Sequence, residues 1–219
     1  KGCSVIRMVS NLLGEETFLK GISHYLHKHQ YANTVTSDLW EALTSVSGVD
    51  MSEFMSPWTE DPGYPLLTVA ETAKRDEISV SQRRFFGAVP QDSIQVYPVS
   101  LEIRNIDGTI DRSQVLKELK GTAKVTDSLL FKLNAEQTGI FRVKYSDTLL
   151  ERLTLEGVKG ADSLLSTSDR IGLLADLEAL KGFEVSVGQV LAVAQRWSAD
   201  PSPIVLTKIL DILGSVAHV

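Results

Sequence analysis

The sequence has few of the features that mark secreted, membrane or nucleic-acid-binding proteins. It holds a single cysteine, so no internal disulfide can form, which favours a reducing compartment. No apolar run approaches the about 20 residues that a membrane-spanning helix needs. The chain has 22 basic and 28 acidic side chains, whereas nucleic-acid binders usually carry a basic patch. We therefore expect a cytoplasmic protein that binds neither nucleic acid nor membrane.

Several catalytic motifs are also missing from the sequence. It contains no His-Glu-x-x-His zinc helix, no Gly-x-Ser-x-Gly turn and no glycine-rich phosphate loop. The chain opens on Lys1, without an initiator methionine or a signal peptide. We interpret this start as a cut in a longer protein.

The histidines at positions 24, 27 and 29 form the most tempting metal-binding cluster. On a helix, His24 and His27 would share a face. Zinc-protease helices space their histidines four apart and place a glutamate after the first, where this chain has Tyr25. No third ligand stands at a recognisable spacing. We interpret the cluster as a solvated helix end, with its cations near the negative end of the helix dipole.

Other reactive side chains also have plainer interpretations. Cys3 lies in an apolar run without a basic neighbour, so we expect a small buried packing residue. Glu15 and Glu16 suit the first turn of a helix. Glu60 and Asp61 are adjacent carboxylates, but general acid–base work needs a pocket around such a pair.

Arg83 and Arg84 stand beside Phe85 and Phe86, a pattern that could imitate a nucleic-acid patch. In an acidic chain, a strand end with one polar and one apolar face is the better interpretation.

Helical periodicity covers residues 1–60 in four short stretches. Gly14 ends the first stretch, Thr36, Ser37 and Asp38 offer N-caps for the third, and Gly48 closes that third stretch. Two prolines and a glycine within residues 61–65 then break the pattern. The apolar stripes that predict the helices run over Val5–Leu13, Phe18–Leu26, Leu39–Val46 and Met51–Trp58.

Between residues 66 and 145 the apolar period changes to two, which predicts strands. Asp107 and Gly108 give a hairpin turn, and Pro98 interrupts the longest run. Short strands with regular turns are typical of a β-sandwich. The predicted strands are Leu67–Glu71, Ile78–Val80, Ile94–Ile106, Leu129–Leu133 and Ile140–Tyr145.

The helical period returns from about residue 146. Ser168 is the predicted cap of one helix. Ser202 is the predicted cap of the last helix, and Pro203 its first residue. The outer apolar face of this last helix has no cover in this sequence. The predicted fold class is thus multidomain α and β. A helical segment (1–65) precedes a β-sandwich (66–145), and a superhelix-like helical segment begins at 146–219. Charge roughly agrees with this division, since the basic and acidic counts are 4 and 8 over residues 1–65, 12 and 11 over residues 66–149, and 6 and 9 over residues 150–219.

Three blocks of sequence resemble the gluzincin aminopeptidases of the M1 family, of the puromycin-sensitive and fungal cytosolic type. The blocks follow the family order along nearly the whole chain. The first block runs from Lys1-Gly2-Cys3-Ser4-Val5-Ile6-Arg7-Met8 through Leu13-Gly14-Glu15-Glu16 and Asp38-Leu39-Trp40 to Trp58-Thr59 and Gly63-Tyr64-Pro65. The second and third are Asn134 with Gly139, Arg142, Val143 and Tyr145, and Asp169-Arg170 with Leu173-Leu174 and Asp176. Cys3 departs from the pattern, which usually has alanine there.

The resemblance implies a four-domain parent that removes N-terminal residues from peptides. In such a parent, zinc held by two histidines and a glutamate activates water, and another glutamate acts as general base. The chain would cover the end of the catalytic domain, the β-sandwich and the first helices of the last domain. By this alignment a transition-state-stabilising tyrosine lies two residues before Lys1. No catalytic, substrate-binding or metal-binding residue carries over to this numbering, so we expect zinc in the parent and none bound by this chain.

Two functional hypotheses follow. The chain is an inactive structural module of a zinc aminopeptidase, whose partners are the remaining domains of its own polypeptide and, through them, peptide substrates. Alternatively, it is a non-catalytic interaction scaffold that combines a β-sandwich with helical repeats.

Overall fold

The computed structural model describes residues 2–85 and 95–217, and every structural statement below refers to these residues. Four helices open the chain, as the periodicity predicted. Gly14 separates the first two with a positive φ of 78°, a conformation that glycine adopts without steric cost. The helices are α1 (Gly2–Leu13), α2 (Glu15–Lys28), α3 (Thr36–Ser47) and α4 (Met51–Thr59).

The start of α3 differs from the prediction. Thr36 is already helical, and Val35 occupies the cap position with extended backbone. Asp38 acts from inside the first turn, where its carboxylate accepts a hydrogen bond from the Val35 backbone N–H at 2.8 Å. A carboxylate in the first turn also complements the positive end of the helix dipole.

Nine strands form three sheets. The largest has the order β7-β2-β1-β9, in which β1 pairs antiparallel with β2 and parallel with β9. The other two have the orders β3-β6 and β5-β4-β8. The strands are β1 (Tyr64–Glu71), β2 (Glu77–Phe85), β3 (Val99–Ser100), β4 (Ile103–Asn105), β5 (Ile110–Asp111), β6 (Val115–Leu116), β7 (Lys120–Lys124), β8 (Phe131–Lys132) and β9 (Arg142–Tyr145).

The predicted long strand Ile94–Ile106 is wrong as a single element. Ile94 lies outside the described residues, and strand pairing begins only at Val99. Glu102 then breaks the run, because its φ of 45° turns the backbone between β3 and β4. The Leu101 N–H donates to Gln114 O, whereas the Leu101 carbonyl accepts from Asn134 N. The chain changes partners at this point and passes from one sheet to the next.

The predicted hairpin is confirmed, with Arg104 paired to Ile110 across a turn that contains Gly108 at φ 84°. Two of the sheets pack face to face where side chains of β8 and β9 meet. The ring centroids of Phe131 and Tyr145 lie 6.5 Å apart, and the Leu133 N–H donates to the Tyr145 hydroxyl at 3.0 Å. Strands β5, β6 and β7 were not predicted, because they are short or mostly polar.

Four helices close the chain. The predicted cap at Ser168 is wrong by two residues, because Ser166 caps the helix through its hydroxyl and Ser168 lies inside it. Pro203 is the first residue of the last helix, as predicted. The helices are α5 (Asp147–Gly157), α6 (Thr167–Leu180), α7 (Val187–Arg196) and α8 (Pro203–Ala217). The order of helices, sheets and helices confirms the predicted fold class.

A close contact between α5 and the end of α7 provides a test of this packing. A Cβ atom on Gly157 would lie 2.2 Å from Trp197 Cζ2, and Trp197 is buried with its indole N–H bonded to the Thr154 carbonyl. We expect Gly157→Ala to lower the free energy of unfolding by about 1–3 kcal/mol, because the ring must shift in a filled core. Urea denaturation of the variant measures the change.

Gly188→Ala is the matched control, since Gly188 is also helical and its nearest atom would be 3.9 Å away. This variant should be as stable as the unsubstituted chain or slightly more stable, because alanine has a higher helix propensity than glycine. Equal stability of the two variants would contradict the packing.

Candidate functional site

A group of buried and partly buried charges lies between the strands and helix α6. We call it the seam cluster, and it brings together side chains from β4, β8, β9, α6 and the loop before β9. Its members are Arg104, Lys132, Glu136, Arg142, Asp169 and Asp176.

Asp169 is the centre of the seam cluster and is fully buried. Its carboxylate accepts from Arg104 Nε at 2.6 Å, from the Glu136 backbone N–H at 2.9 Å and from Ser166 N at 3.2 Å. Lys132 Nζ lies 3.2 Å away. Burial raises the pKa of this carboxyl, but Lys132 and Arg104 outweigh burial and hold the pKa below its usual value. Asp169 therefore stays ionised and draws three segments of chain together.

Lys132 supplies a buried positive charge next to Asp169. Only 2% of the residue is exposed, although it belongs to a strand. Its ammonium also donates to the Leu133 carbonyl at 3.0 Å and to the Asn134 carbonyl at 3.1 Å. Burial lowers the pKa of this amine, and Asp169 opposes the shift. Since three acceptors surround three N–H donors, the charged form is fully hydrogen-bonded.

Asp176 lies two turns along α6 and has a poorer set of donors. It accepts from Arg142 Nη1 and from the Val143 backbone N–H, both at 3.2 Å. Burial raises its pKa to about 6, and Arg142 and Lys132 offset only part of that shift. The two aspartates of α6 thus differ, because one stays ionised and the other titrates near neutral pH.

The loop before β9 links this cluster to helix α1. Asn134, Glu136 and Gln137 all have positive φ between 55° and 58°, which is strained for residues with a side chain. The Asn134 amide fixes the loop by bonding both the N–H and the carbonyl of Gly139, at 2.8 and 3.1 Å. Arg7 of α1 then donates to the Glu136 carbonyl at 3.2 Å. The Glu136 side chain pairs with Arg104.

The ion pairs of this arrangement hold parts of the fold together. Each acid of the seam cluster is paired with a base, and no serine, cysteine or histidine nucleophile belongs to it. The cluster binds the strands, α6 and α1 into one unit.

The predicted histidine cluster lies at the end of α2, with His27 and Lys28 in its last turn. His24 and His27 are exposed, His27 Nδ1 lies 2.8 Å from the Ser23 carbonyl, and the His29 ring lies 5.4 Å from that of Tyr25. Within residues 2–85 and 95–217, no group of three or more histidine, cysteine or acidic residues could hold a metal ion. The described residues therefore do not fit the zinc site that the resemblance implies for the parent.

The interpretation of Cys3 as a buried residue is wrong, since Cys3 is exposed. Helix α1 buries Val5, Met8 and Val9, and Cys3 lies away from that face.

The remaining candidates each have a local role. Glu15 and Glu16 occupy the first turn of α2, as predicted. Glu60 accepts from the Ser56 hydroxyl at 3.0 Å, and Asp61 accepts from Gln95 at 2.6 Å.

Arg83 and Phe85 lie at the end of strand β2, as predicted. Arg83 pairs with Glu184 and Phe85 is buried, whereas Phe86 lies outside the described residues.

Three residues of the seam cluster, Arg104, Lys132 and Glu136, were not singled out from the sequence. Arg104 and Lys132 read as ordinary polar positions in strands, and their partner Asp169 follows 65 and 37 positions later. A buried lysine in a two-residue strand leaves no pattern in one sequence. The only signal for the cluster was the resemblance, which contained Arg142, Asp169 and Asp176.

Comparison with known protein families gives two matches. Residues 1–58 match the peptidase family M1 domain, and residues 130–219 match the ERAP1-like C-terminal domain. The described residues contain no helix long and apolar enough to cross a membrane.

Curated relatives match nearly the whole chain. Aminopeptidase 2 of Candida albicans is 40% identical over 99% of this chain. The puromycin-sensitive aminopeptidase of Caenorhabditis elegans is 36% identical over 89%, and tricorn protease-interacting factor F2 of Thermoplasma acidophilum is 32% identical over 97%. The chain spans about a quarter of these relatives, at 23%, 21% and 25% of their respective lengths. The sequence, with its helix–sheet–helix order, therefore belongs to the M1 peptidase family.

Proposed function

We propose that the chain is the non-catalytic support module of a zinc-dependent aminopeptidase that removes N-terminal residues from peptides. The observation that carries this proposal is the ordered match to two family models, together with aminopeptidase relatives aligned over almost every residue. In this proposal the zinc, its ligands and the general base belong to the remaining part of the parent polypeptide. The chain supplies none of them.

The proposed support role rests on the contacts of α1. Arg7 ties this helix to the Glu136 carbonyl, and Glu136 is held in turn by Arg104 and by the hydroxyl of Ser166 at 3.1 Å. Residues joined by such a hydrogen-bonded network are restrained in position, which a catalytic group needs from its supporting shell. We propose that the network fixes α1, and through it the chain that precedes α1.

We also propose a division into residues 1–65, 66–145 and 146–219, and a cytoplasmic parent. The strands begin at Tyr64 and end at Tyr145, which supports the division. The single cysteine supports a reducing compartment.

Peptidase assays test the proposal. We expect the 219-residue chain to leave an aminoacyl reporter uncleaved even with added zinc, because no metal ligand set is present in its described residues. The full-length parent should cleave the same reporter and lose activity when a chelator removes the metal. Turnover by the isolated chain would overturn the support role. A transcript whose reading frame begins near Lys1 would favour the interaction scaffold instead.

A further inference from the structure

A small polar cleft lies where α1, the start of β1 and the loop before β9 meet. Its volume is about 290 Å³. The same loop contributes Glu136 to the seam cluster. The polar lining residues are Ser4, Arg7, Tyr64, Gln137, Thr138 and Arg142.

Two guanidinium groups give this cleft a positive wall. Within the described residues, the one hydrogen bond of the Arg7 guanidinium goes to a neutral group, the Glu136 carbonyl at 3.2 Å. Arg142 forms an ion pair with Asp176, which is 3% exposed and does not line the cleft. Glu102 also lies close to Arg7 but is 1% exposed. No carboxylate is among the described residues that line the cleft.

The other lining groups add polar atoms to the cleft. Tyr64 contributes a phenol that bonds the Arg142 guanidinium. Ser4 adds a hydroxyl. The Thr138 hydroxyl already donates to the Ala135 carbonyl at 3.2 Å, and the Gln137 amide, on a strained backbone with φ 55°, donates to the Asn134 carbonyl at 3.4 Å. Strained residues cluster at ligand sites. Guanidinium groups present a planar fork of donors that fits two oxygens of a carboxylate or a phosphate, and they bind these anions with charge-assisted hydrogen bonds.

We propose that this cleft is a binding site for an oxyanion. Arg7 makes the principal contact, because it is exposed on α1 and its charge is not neutralised by a hydrogen-bonded acid. Arg142 and Tyr64 form the opposite side. The ligand is free phosphate or the terminal carboxylate of a peptide, each of which presents a pair of anionic oxygens to a guanidinium. Occupation would strengthen the contact between α1 and the loop.

Isothermal titration calorimetry of the 219-residue chain tests the site with three probes: inorganic phosphate, trialanine and trialanine amide. We expect saturable binding of phosphate or of trialanine, and none of the amide, which lacks the carboxylate. Arg7→Gln should raise Kd about tenfold, the loss typical of one hydrogen bond between charged groups. Arg75→Gln is the matched control, since Arg75 is an exposed arginine paired with Asp127 outside the cleft, and its Kd should not change.

The outcomes separate the two sources of oxyanion. Phosphate binding without trialanine binding identifies a phosphate site, and the reverse identifies a peptide carboxylate. If Arg7→Gln unfolds, Tyr64→Phe replaces it as the test, with a smaller rise in Kd. Absence of saturable binding by both oxyanions, or unchanged affinity in the folded cleft variant, overturns the proposal.

Discussion

Asp169→Asn should lower the free energy of unfolding by about 3–5 kcal/mol, the cost of breaking a buried ion pair from one side. The substitution keeps the shape of the side chain but removes the charge that faces Lys132 at 3.2 Å and Arg104 at 2.6 Å. Lys132 would then be a buried cation without an acid beside it. Guanidinium chloride denaturation followed by circular dichroism measures the loss.

Two further variants isolate the cause of that loss. Asp211→Asn changes an exposed acid on α8 and should leave the free energy of unfolding within about 0.5 kcal/mol of that of the unsubstituted chain. Adding Lys132→Met to Asp169→Asn should recover part of the stability, because it removes the unpaired buried charge. If Asp169→Asn were as mild as Asp211→Asn, the seam cluster would not hold the strands to α6.

Asp176 should make stability fall as pH rises from about 4 to 7. Its pKa in the folded state is about 6, whereas an unperturbed aspartate has a value of 3.8. The folded state therefore binds this proton more tightly than the unfolded state does. The resulting stabilisation is fully present below pH 3.8 and is lost as pH rises through about 6, with a total of about 3 kcal/mol.

The free energy of unfolding of the unsubstituted 219-residue chain minus that of Asp176→Asn measures this contribution, because the contributions of the other titrating groups cancel in the subtraction. The free energy of unfolding of both proteins would be determined by urea denaturation at several pH values. We expect the unsubstituted chain to be most stable relative to Asp176→Asn at low pH, and this advantage to shrink as pH rises from about 4 to 7. A difference that is constant over this range would contradict an Asp176 carboxyl that titrates inside the fold.

Local chemistry explains which elements could be predicted. Gly14, the Asp107-Gly108 turn and Pro203 act through their own backbone preferences, so they mark boundaries that a single sequence reveals. The error at Ser168 was avoidable. Ser166 stands three residues before Asp169, which is the spacing of a capping box, and the structure forms both of its hydrogen bonds.

Non-local partners explain what could not be predicted. Glu102 interrupts an apolar run at the point where its neighbour Leu101 bonds Gln114 through its N–H and Asn134 through its carbonyl. Neither partner is visible from the residues near Glu102. Lys132 is buried for the same kind of reason, since the fold brings the distant Asp169 to its ammonium.

The parallel pairing of β1 with β9 constrains the order in which the chain can fold. Leu66 lies beside Arg142, which is 76 positions later, so the central sheet closes only after the whole stretch between them has been synthesised. Closing so long a loop costs entropy before any contact repays it, and such topologies fold slowly. Until then β1 has an open edge on the side that β9 will occupy. During synthesis, the first four helices therefore lie beside an unfinished sheet until β9 completes it.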